Sequence, residues 1–150
     1  MSLRNGTQKM SKSDVSDMTR INLIDCNDTI SEKIKKAKTD SGDFPVAAME
    51  LDERPEIKNL INIYASISGK KVEQIVDHFS SSGFAKFKVE LTEILINEIS
   101  PIRKIISELM AETQELDKIL YDGATKASLI AKPVMKEVFD VIGFNKRRNL

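Results

Sequence analysis

Apolar residues recur every three or four positions along most of the chain from Thr29 onward, and this spacing constrains the fold more than any other feature. Such a period puts the apolar side chains on one face of a helix, whereas a half-buried strand requires strict alternation. No alternating pattern of strands and helices is present, so the chain lacks the signature of a parallel α/β sheet. The sequence therefore predicts an all-α fold, with a helical bundle over residues 29–150. An irregular arm, extended or mobile, precedes it over residues 1–28.

The helix boundaries follow from capping residues and breakers. Thr29 and Glu32 have the spacing of a capping box, which predicts a first helix from Thr29 to about Lys38. Proline is favoured in the first turn of a helix and glycine just past its end, so a second helix is expected from Pro55 to Gly69. Further helices are expected at 71–80, 84–111 and 113–143. The connector at 39–54 is long for a compact domain, and surface packing or partial mobility are both open for it.

Two features of the last helices carry their own expectations. Pro101 and Pro133 should kink or break the helices that contain them, because each removes an N–H and clashes with the preceding turn. Gly123 lowers helix propensity, which a close approach of another helix or of RNA backbone would explain. The residues expected on the buried side of the last helix are Leu116, Ile119, Leu120, Ala124, Ala127, Leu129 and Ile130.

Lysines cover the remaining surface of the first predicted helix. Lys33, Lys35, Lys36 and Lys38 lie outside the face formed by Ile30 and Ile34. A solvated face is the usual interpretation of such a cluster, and contact with phosphate is the alternative. The sequence leaves that choice open.

Composition excludes several classes of function. Lys plus Arg equals Asp plus Glu at 23 each in 150 residues, so the overall charge provides no attraction for nucleic acid. Cys26 and His78 are the only residues of their types, which excludes an intrachain disulfide and a Cys/His zinc site built within the chain. No metal site is therefore expected. His78 is interpreted as a surface or boundary residue without a catalytic role, and the apolar runs are too short for a membrane span.

The polar loop from Gly6 to Asp17 contains the sequence KMSKS at Lys9–Ser13. A lysine is a point-charge binder of phosphate. Ser11, Ser13 and backbone N–H groups can add neutral hydrogen bonds to phosphate oxygens. A loop of this composition can close over a triphosphate and stabilise the charge on departing pyrophosphate. Lys9, Met10, Ser11, Lys12 and Ser13 are therefore the candidate ATP-binding residues.

KMSKS resembles the mobile ATP-binding loop of class I aminoacyl-tRNA synthetases, and the resemblance extends along the chain. The segments that carry it are GTQKMSKSD, TRINL, DTISEKIKKAKTD, RPEIKNLINIYASISGK, FKVELTEILINEISPIRK, ELDKIL, DGATKAS and IAKPVMKEVFDVIGF. In this order they resemble tryptophanyl-tRNA synthetases of bacterial type. The resemblance implies that the chain corresponds to the C-terminal part of such an enzyme, and that the catalytic sheet and the histidine motif of the family lie outside it.

The resemblance also implies a function and its partners. The parent enzyme would be a tryptophan–tRNA ligase that activates tryptophan with ATP and Mg²⁺ and charges tRNA(Trp), as a cytoplasmic homodimer. Lys12 would be the main catalytic contact to the phosphates, with Lys9 assisting. Residues 1–28 would be the end of the catalytic domain and residues 29–150 the anticodon-binding helical domain. The chain alone would be inactive. The alternative is a stand-alone helical module that binds RNA or regulates without catalysis.

Overall fold

The computed structural model describes residues 1–143, which contain helices and no β-strand. The prediction of an all-α fold is therefore confirmed. The α-helices are α1 at Asn27–Lys36, α2 at Pro55–Ser68, α3 at Val72–Phe79, α4 at Gly83–Ala111 and α5 at Thr113–Ile142, and short 3₁₀ helices lie at Asp17–Thr19 and Ala48–Glu53. The predicted helical region continues to Leu150, and its residues 144–150 lie outside the described part. None of the described helices is long and apolar enough to cross a membrane.

The described backbone divides into two compact units, Met1–Ile105 and a second that begins at Ile106. The first unit contains the arm, α1, α2, α3 and most of α4. A boundary between catalytic and helical domains after residue 28 stays a prediction. The KMSKS segment belongs to the first unit, so that unit determines its surroundings.

Helix α1 begins earlier than the capping box predicted. Its N-cap is Cys26, and Thr29 lies inside the first turn, where its hydroxyl contacts the Cys26 sulfur at 3.1 Å. Glu32 instead accepts a hydrogen bond from Lys36 at 2.5 Å. The predicted box is therefore wrong, although the apolar face formed by Ile30 and Ile34 is fully buried as expected.

Helix α2 begins and ends where the sequence predicted. Pro55 occupies the first turn, where its missing N–H leaves no intrahelical bond unmade. Gly69 caps the C-terminus with φ of 68°, a left-handed conformation that glycine adopts without a steric penalty from Cβ. The apolar stripe between them, including Ile57, Leu60 and Ile61, is buried.

The connector before α2 is part of the core. Phe44 is 4% exposed and its ring lies 5.3 Å from the ring of Phe87 in α4. Phe87 in turn lies 5.1 Å from Phe79 of α3 and 5.9 Å from Tyr64 of α2. Tilted, edge-to-face and stacked ring contacts at these distances add to the stabilisation from apolar burial. The aromatic cluster therefore joins the connector to three helices.

A kink or a break was predicted at Pro101; helix α4 continues through this residue, so the break is absent and the kink stays a prediction. Pro101 removes only one N–H from a long helix in which most other backbone bonds remain available. The predicted inward face is buried at Phe87, Leu91, Leu95 and Ile99. After Pro101 the same face is exposed. Ile105 is 56% exposed, so the prediction that it is buried is wrong.

Helix α5 presents the largest departure from the sequence expectation. It contains no buried residue among those described, and the predicted core residues Leu129 and Ile130 are 72% and 76% exposed. A Cβ on Gly123 would meet nothing within 4 Å, so the described residues provide no close helix approach to explain this glycine. The helix does end as predicted, at Gly143 with φ of 72°.

Gly6 packs directly on the first turn of α2, and this contact predicts the effect of a substitution. A Cβ at this position would lie 2.4 Å from the backbone carbonyl carbon and oxygen of Pro55, which cannot move independently of the helix. Gly6→Ala should therefore lower the free energy of unfolding by about 2 kcal/mol, in the range of overpacked sites. Urea denaturation followed by circular dichroism measures this change.

Gly42→Ala is the matched control for this substitution. A Cβ there would meet only the ends of the Asp40 and Arg54 side chains, at 3.1 and 3.3 Å, and these can shift. Its effect should stay below about 0.5 kcal/mol. Equal losses for the two variants would contradict the proposed importance of the contact with Pro55.

Candidate functional site

Backbone hydrogen bonds close the base of the loop that carries KMSKS. The N–H of Leu3 donates to the carbonyl of Thr19 at 2.9 Å, and the carbonyl of Leu3 accepts from the N–H of Lys38 at 2.8 Å. The N–H of Ser2 donates to the carbonyl of Gln8 at 2.9 Å. Ser2 and Leu3 are buried. The sequence predicted an irregular arm, extended or mobile, over residues 1–28 and did not indicate this anchor, because one leucine carries no periodic signal.

The KMSKS residues lie beyond this base, and all of Lys9–Ser13 are exposed. Neither the Lys9 nor the Lys12 ammonium has a hydrogen-bond or ion-pair partner among residues 1–143. The N–H donors of both side chains are therefore available to solvent or to a ligand. Their roles as phosphate ligands stay a prediction.

The serines of the segment form a local turn. The hydroxyls of Ser11 and Ser13 lie 3.2 Å apart, and the N–H of Ser13 donates to the Ser11 hydroxyl at 3.3 Å. The N–H of Asp14 donates to the carbonyl of Ser11 at 3.3 Å. At 3.2–3.3 Å these contacts lie at or beyond the long end of the usual range, so they hold the turn weakly.

Met10 is the apolar member of the segment and lies at the edge of a cavity of about 330 Å³. Leu3, Ile63, Leu95 and Ile99 contribute apolar atoms to the same cavity. Met10 itself is 45% exposed. An unbranched thioether side chain fits an irregular apolar space of this kind.

A buried lysine lies behind the loop. Lys33 of α1 is 1% exposed, and its ammonium contacts Asp17 and Asp25 at 2.6 Å each. Interpretation of this lysine as part of a solvated face is wrong, since two carboxylates at its end satisfy the charge. Phosphate contact through Lys33 is excluded by the same burial. Lys35 and Lys36, its neighbours on the helix, are exposed as expected.

The two carboxylates differ in their surroundings. Asp25 is 8% exposed and also accepts from the backbone N–H of Asn22 at 2.8 Å. Asp17 is about half exposed, and hydrogen bonds from Lys33 and then from the Asn22 amide hold its pKa below the ordinary value. The unfolded chain thus binds a proton at this carboxyl more readily than the folded one. The stabilisation is complete above the ordinary pKa of 3.8 and is lost as the pH falls below it.

The remaining candidates from the sequence are accounted for by structural contacts. His78 is half exposed and lies 3.3 Å from the carboxylate of Glu90. The described residues contain no group of three or more His, Cys, Asp and Glu side chains that could hold a metal ion.

Comparison with known proteins identifies the class. Residues 1–100 match the family described as tRNA synthetases class I (W and Y), which is more than half of the chain. The chain therefore belongs to this family of class I synthetases.

Within this family the similarity is to tryptophan–tRNA ligases. The chain is 51% identical to the tryptophan–tRNA ligase of Rickettsia prowazekii (strain Madrid E) and 44% identical to that of Brucella melitensis biotype 1, over 144 residues or 96% of the chain in each case. It spans 43% and 41% of the length of these relatives, in their C-terminal part. The crystal structure of tryptophanyl-tRNA synthetase from Mycoplasma pneumoniae has the same fold, with a TM-score of 0.79 at 24% identity over 98% of this chain and 46% of that one.

These comparisons confirm the resemblance on which the sequence expectations were based. The stand-alone helical module is not favoured, because the family match includes the KMSKS loop as well as α1 to α3. The contacts that sequence reasoning missed are those behind the loop, between Lys33 and the carboxylates of Asp17 and Asp25. No local pattern indicates them, since the partners lie 16 and 8 positions away along the chain.

The buried ammonium predicts a large effect of one substitution in α1. Lys33→Met keeps most of the apolar stem but leaves the Asp25 carboxylate buried without its cation. Removing one partner of a buried pair is strongly destabilising, so the free energy of unfolding should fall by about 3 kcal/mol. Urea denaturation at neutral pH measures this loss.

Lys36→Met provides a control in the same helix. Lys36 and its partner Glu32 are both about half exposed, and exposed pairs contribute little. Its effect should therefore stay below about 0.5 kcal/mol. The double variant Lys33→Met/Asp25→Asn should recover part of the loss, because the uncompensated charge is gone. A Lys33→Met protein as stable as the Lys36→Met protein would show that the buried pair contributes nothing.

Proposed function

We propose that this chain contributes the ATP-phosphate-binding loop and the tRNA-binding helical region of a tryptophan–tRNA ligase. The observation that supports the loop assignment is the pair of unpartnered ammonium groups on Lys9 and Lys12, presented by a loop whose base is closed. The family match, which includes this loop, supplies the class of reaction. The relatives named above carry the substrates in their names, tryptophan and tRNA.

Lys12 is the main catalytic contact in this proposal. In the first step, the carboxylate of tryptophan attacks the α-phosphorus of ATP and pyrophosphate leaves with the electrons of the broken P–O bond. Negative charge then builds on the departing oxygens, and a cation that meets it there lowers the barrier. Lys9 assists from the other side of Ser11. The hydroxyls of Ser11 and Ser13 and the Met10 side chain shape the loop around the phosphates.

The accompanying assignments rest on the same similarity. Mg²⁺ would be held by ATP oxygens, and it would neutralise part of the phosphate charge. The helical region from residue 29 would bind the anticodon part of tRNA(Trp). The complete enzyme would be a homodimer in the cytoplasm.

The proposal predicts that the chain alone does not activate tryptophan. The described residues contain no sheet to hold the adenine and the amino acid, so the loop has no bound triphosphate to close on. Tryptophan-dependent exchange of pyrophosphate into ATP should stay at background. The chain joined to the N-terminal part of the Rickettsia prowazekii relative should exchange. Turnover by the chain alone would contradict the proposal that this chain needs the rest of the enzyme to activate tryptophan.

In an active enzyme that contains this chain, Lys12→Ala should slow adenylate formation roughly 10²- to 10³-fold, as for the loss of a donor to a developing oxyanion. The affinity for tryptophan should be unchanged, because the contact forms with phosphate. Rapid quench kinetics separate the two quantities. Lys86→Ala, which removes an equally exposed charge from α4, should leave the rate unchanged. A normal rate with weaker tryptophan binding would overturn the role assigned to Lys12.

A further inference from the structure

Arg20 connects the KMSKS loop to the body of the first unit. One terminal nitrogen of its guanidinium faces the backbone carbonyls of Ser11, Asp14 and Ser16 at 3.4, 3.3 and 3.5 Å. The other pairs with Asp17 at 2.9 Å, and the side chain as a whole is 15% exposed. A planar guanidinium carries several donors in a fixed fork, so it can serve a carboxylate and a set of carbonyls together.

The side of Arg20 that faces the protein is held firmly. Its partner Asp17 also binds the Lys33 ammonium at 2.6 Å, and Lys33 is fully buried and fixed from the far side by Asp25. Asn22 donates a further hydrogen bond to Asp17 at 3.0 Å. Charge-assisted contacts this short are the strong class of hydrogen bond. The position of the guanidinium is therefore determined by α1 through Asp17.

The side of Arg20 that faces the loop is held weakly. Three carbonyls share one nitrogen, and all three distances exceed the usual 2.7–3.2 Å range of N–H···O bonds. Two of these carbonyls also accept from other donors, Ser11 from the N–H of Asp14 and Ser16 from the hydroxyl of Thr19. Contacts of this kind orient a segment and still allow it to leave at small energetic cost.

We propose that Arg20 is a positioning residue for the KMSKS loop. It orders residues 11–16 before ATP arrives, so that Lys12 is presented to the phosphates, and it releases the carbonyls as the loop closes. The catalytic consequence rests on the proposed function, whereas the ordering of the loop does not. Arg20 touches no substrate in this arrangement and acts only through the backbone that it orients.

Backbone ¹⁵N relaxation on this chain tests the ordering directly and without any nucleotide. The order parameters of the Ser11, Lys12 and Asp14 amides should be about 0.8 in the unaltered chain and fall below about 0.6 in Arg20→Met, the value typical of flexible segments. Amides of α2, such as Ile61, should stay near 0.85 and show that the fold is intact. Unchanged loop order in a folded Arg20→Met chain would overturn the proposal.

Three further variants sharpen this test. Arg20→Lys keeps the charge but lacks the planar fork of donors, so its loop should be as disordered as that of Arg20→Met. Asp17→Asn weakens the link to Lys33 and should lower the loop order parameters part of the way. Lys58 lies on α2 and forms an exposed ion pair with Asp52. Lys58→Met removes this cation and should leave the loop order parameters unchanged. Full loop order in Arg20→Lys would show that charge alone, and not the fork, is responsible, which would also overturn the proposal.

Kinetics in an active enzyme containing this chain separate this proposal from the assignment of the loop. Arg20→Met should raise the KM for ATP about tenfold with a smaller change in kcat, because an unordered loop must be ordered on binding. Lys12→Ala should instead lower kcat. If loop order falls in Arg20→Met while Lys12→Ala keeps the normal rate, the positioning role stands and the phosphate-binding function fails. If the KM for ATP is unchanged although the loop is disordered, the catalytic consequence of positioning is refuted.

Discussion

The contact of the Lys33 ammonium with two carboxylates is the interaction on which the region around the loop depends. A buried ammonium is costly unless it is paired and hydrogen-bonded, and here Asp17 and Asp25 both meet it at 2.6 Å. Asp17 opens the 3₁₀ helix that follows the loop, and Asp25 lies just before α1. One cation therefore fixes the two ends of the segment between the loop and the first α-helix.

Helix α1 is in turn held by α4 at both of its ends. At the C-terminal end, Lys88 of α4 donates to the carbonyls of Lys35 and Ala37 at 3.2 and 2.7 Å, and burial lowers the pKa of its ammonium. At the N-terminal end, Arg103 of α4 donates to the carbonyl of Asp25 and to the Asn27 side chain. The last carbonyls of a helix lack intrahelical partners, so Lys88 satisfies groups that would otherwise face solvent. The loop is thus connected through α1 to the longest helix of the first unit.

This connection explains how an exposed loop can have a defined base. The loop contributes little apolar surface of its own, and burial alone would not offset the entropy of ordering it. Leu3 and Thr19 pair through the backbone beneath it, and the charged contacts of Asp17 add to that pairing. Lys9 and Lys12 have no partner among residues 1–143. In the proposed function, binding energy from the triphosphate would move this part of the loop without disturbing the base.

Periodicity and local motifs in the sequence were enough to determine the helical class, the ends of α2 and the identity of the KMSKS residues. These properties depend on neighbouring positions: a proline in a first turn, a glycine at a C-terminus, a pentapeptide in a polar loop.

The tertiary structure decided the rest. Lys33 stands three positions after Ile30 and four before Ala37, beside the buried face, and the approach of Asp17 and Asp25 from elsewhere in the chain allows its ammonium to be buried. Phe44 lies in a segment without periodicity and enters the core because two helices, α3 and α4, provide aromatic rings around it. The exposure of α5 shows the converse, because a period of apolar residues specifies which face of a helix can be buried, while only another packed element can bury it.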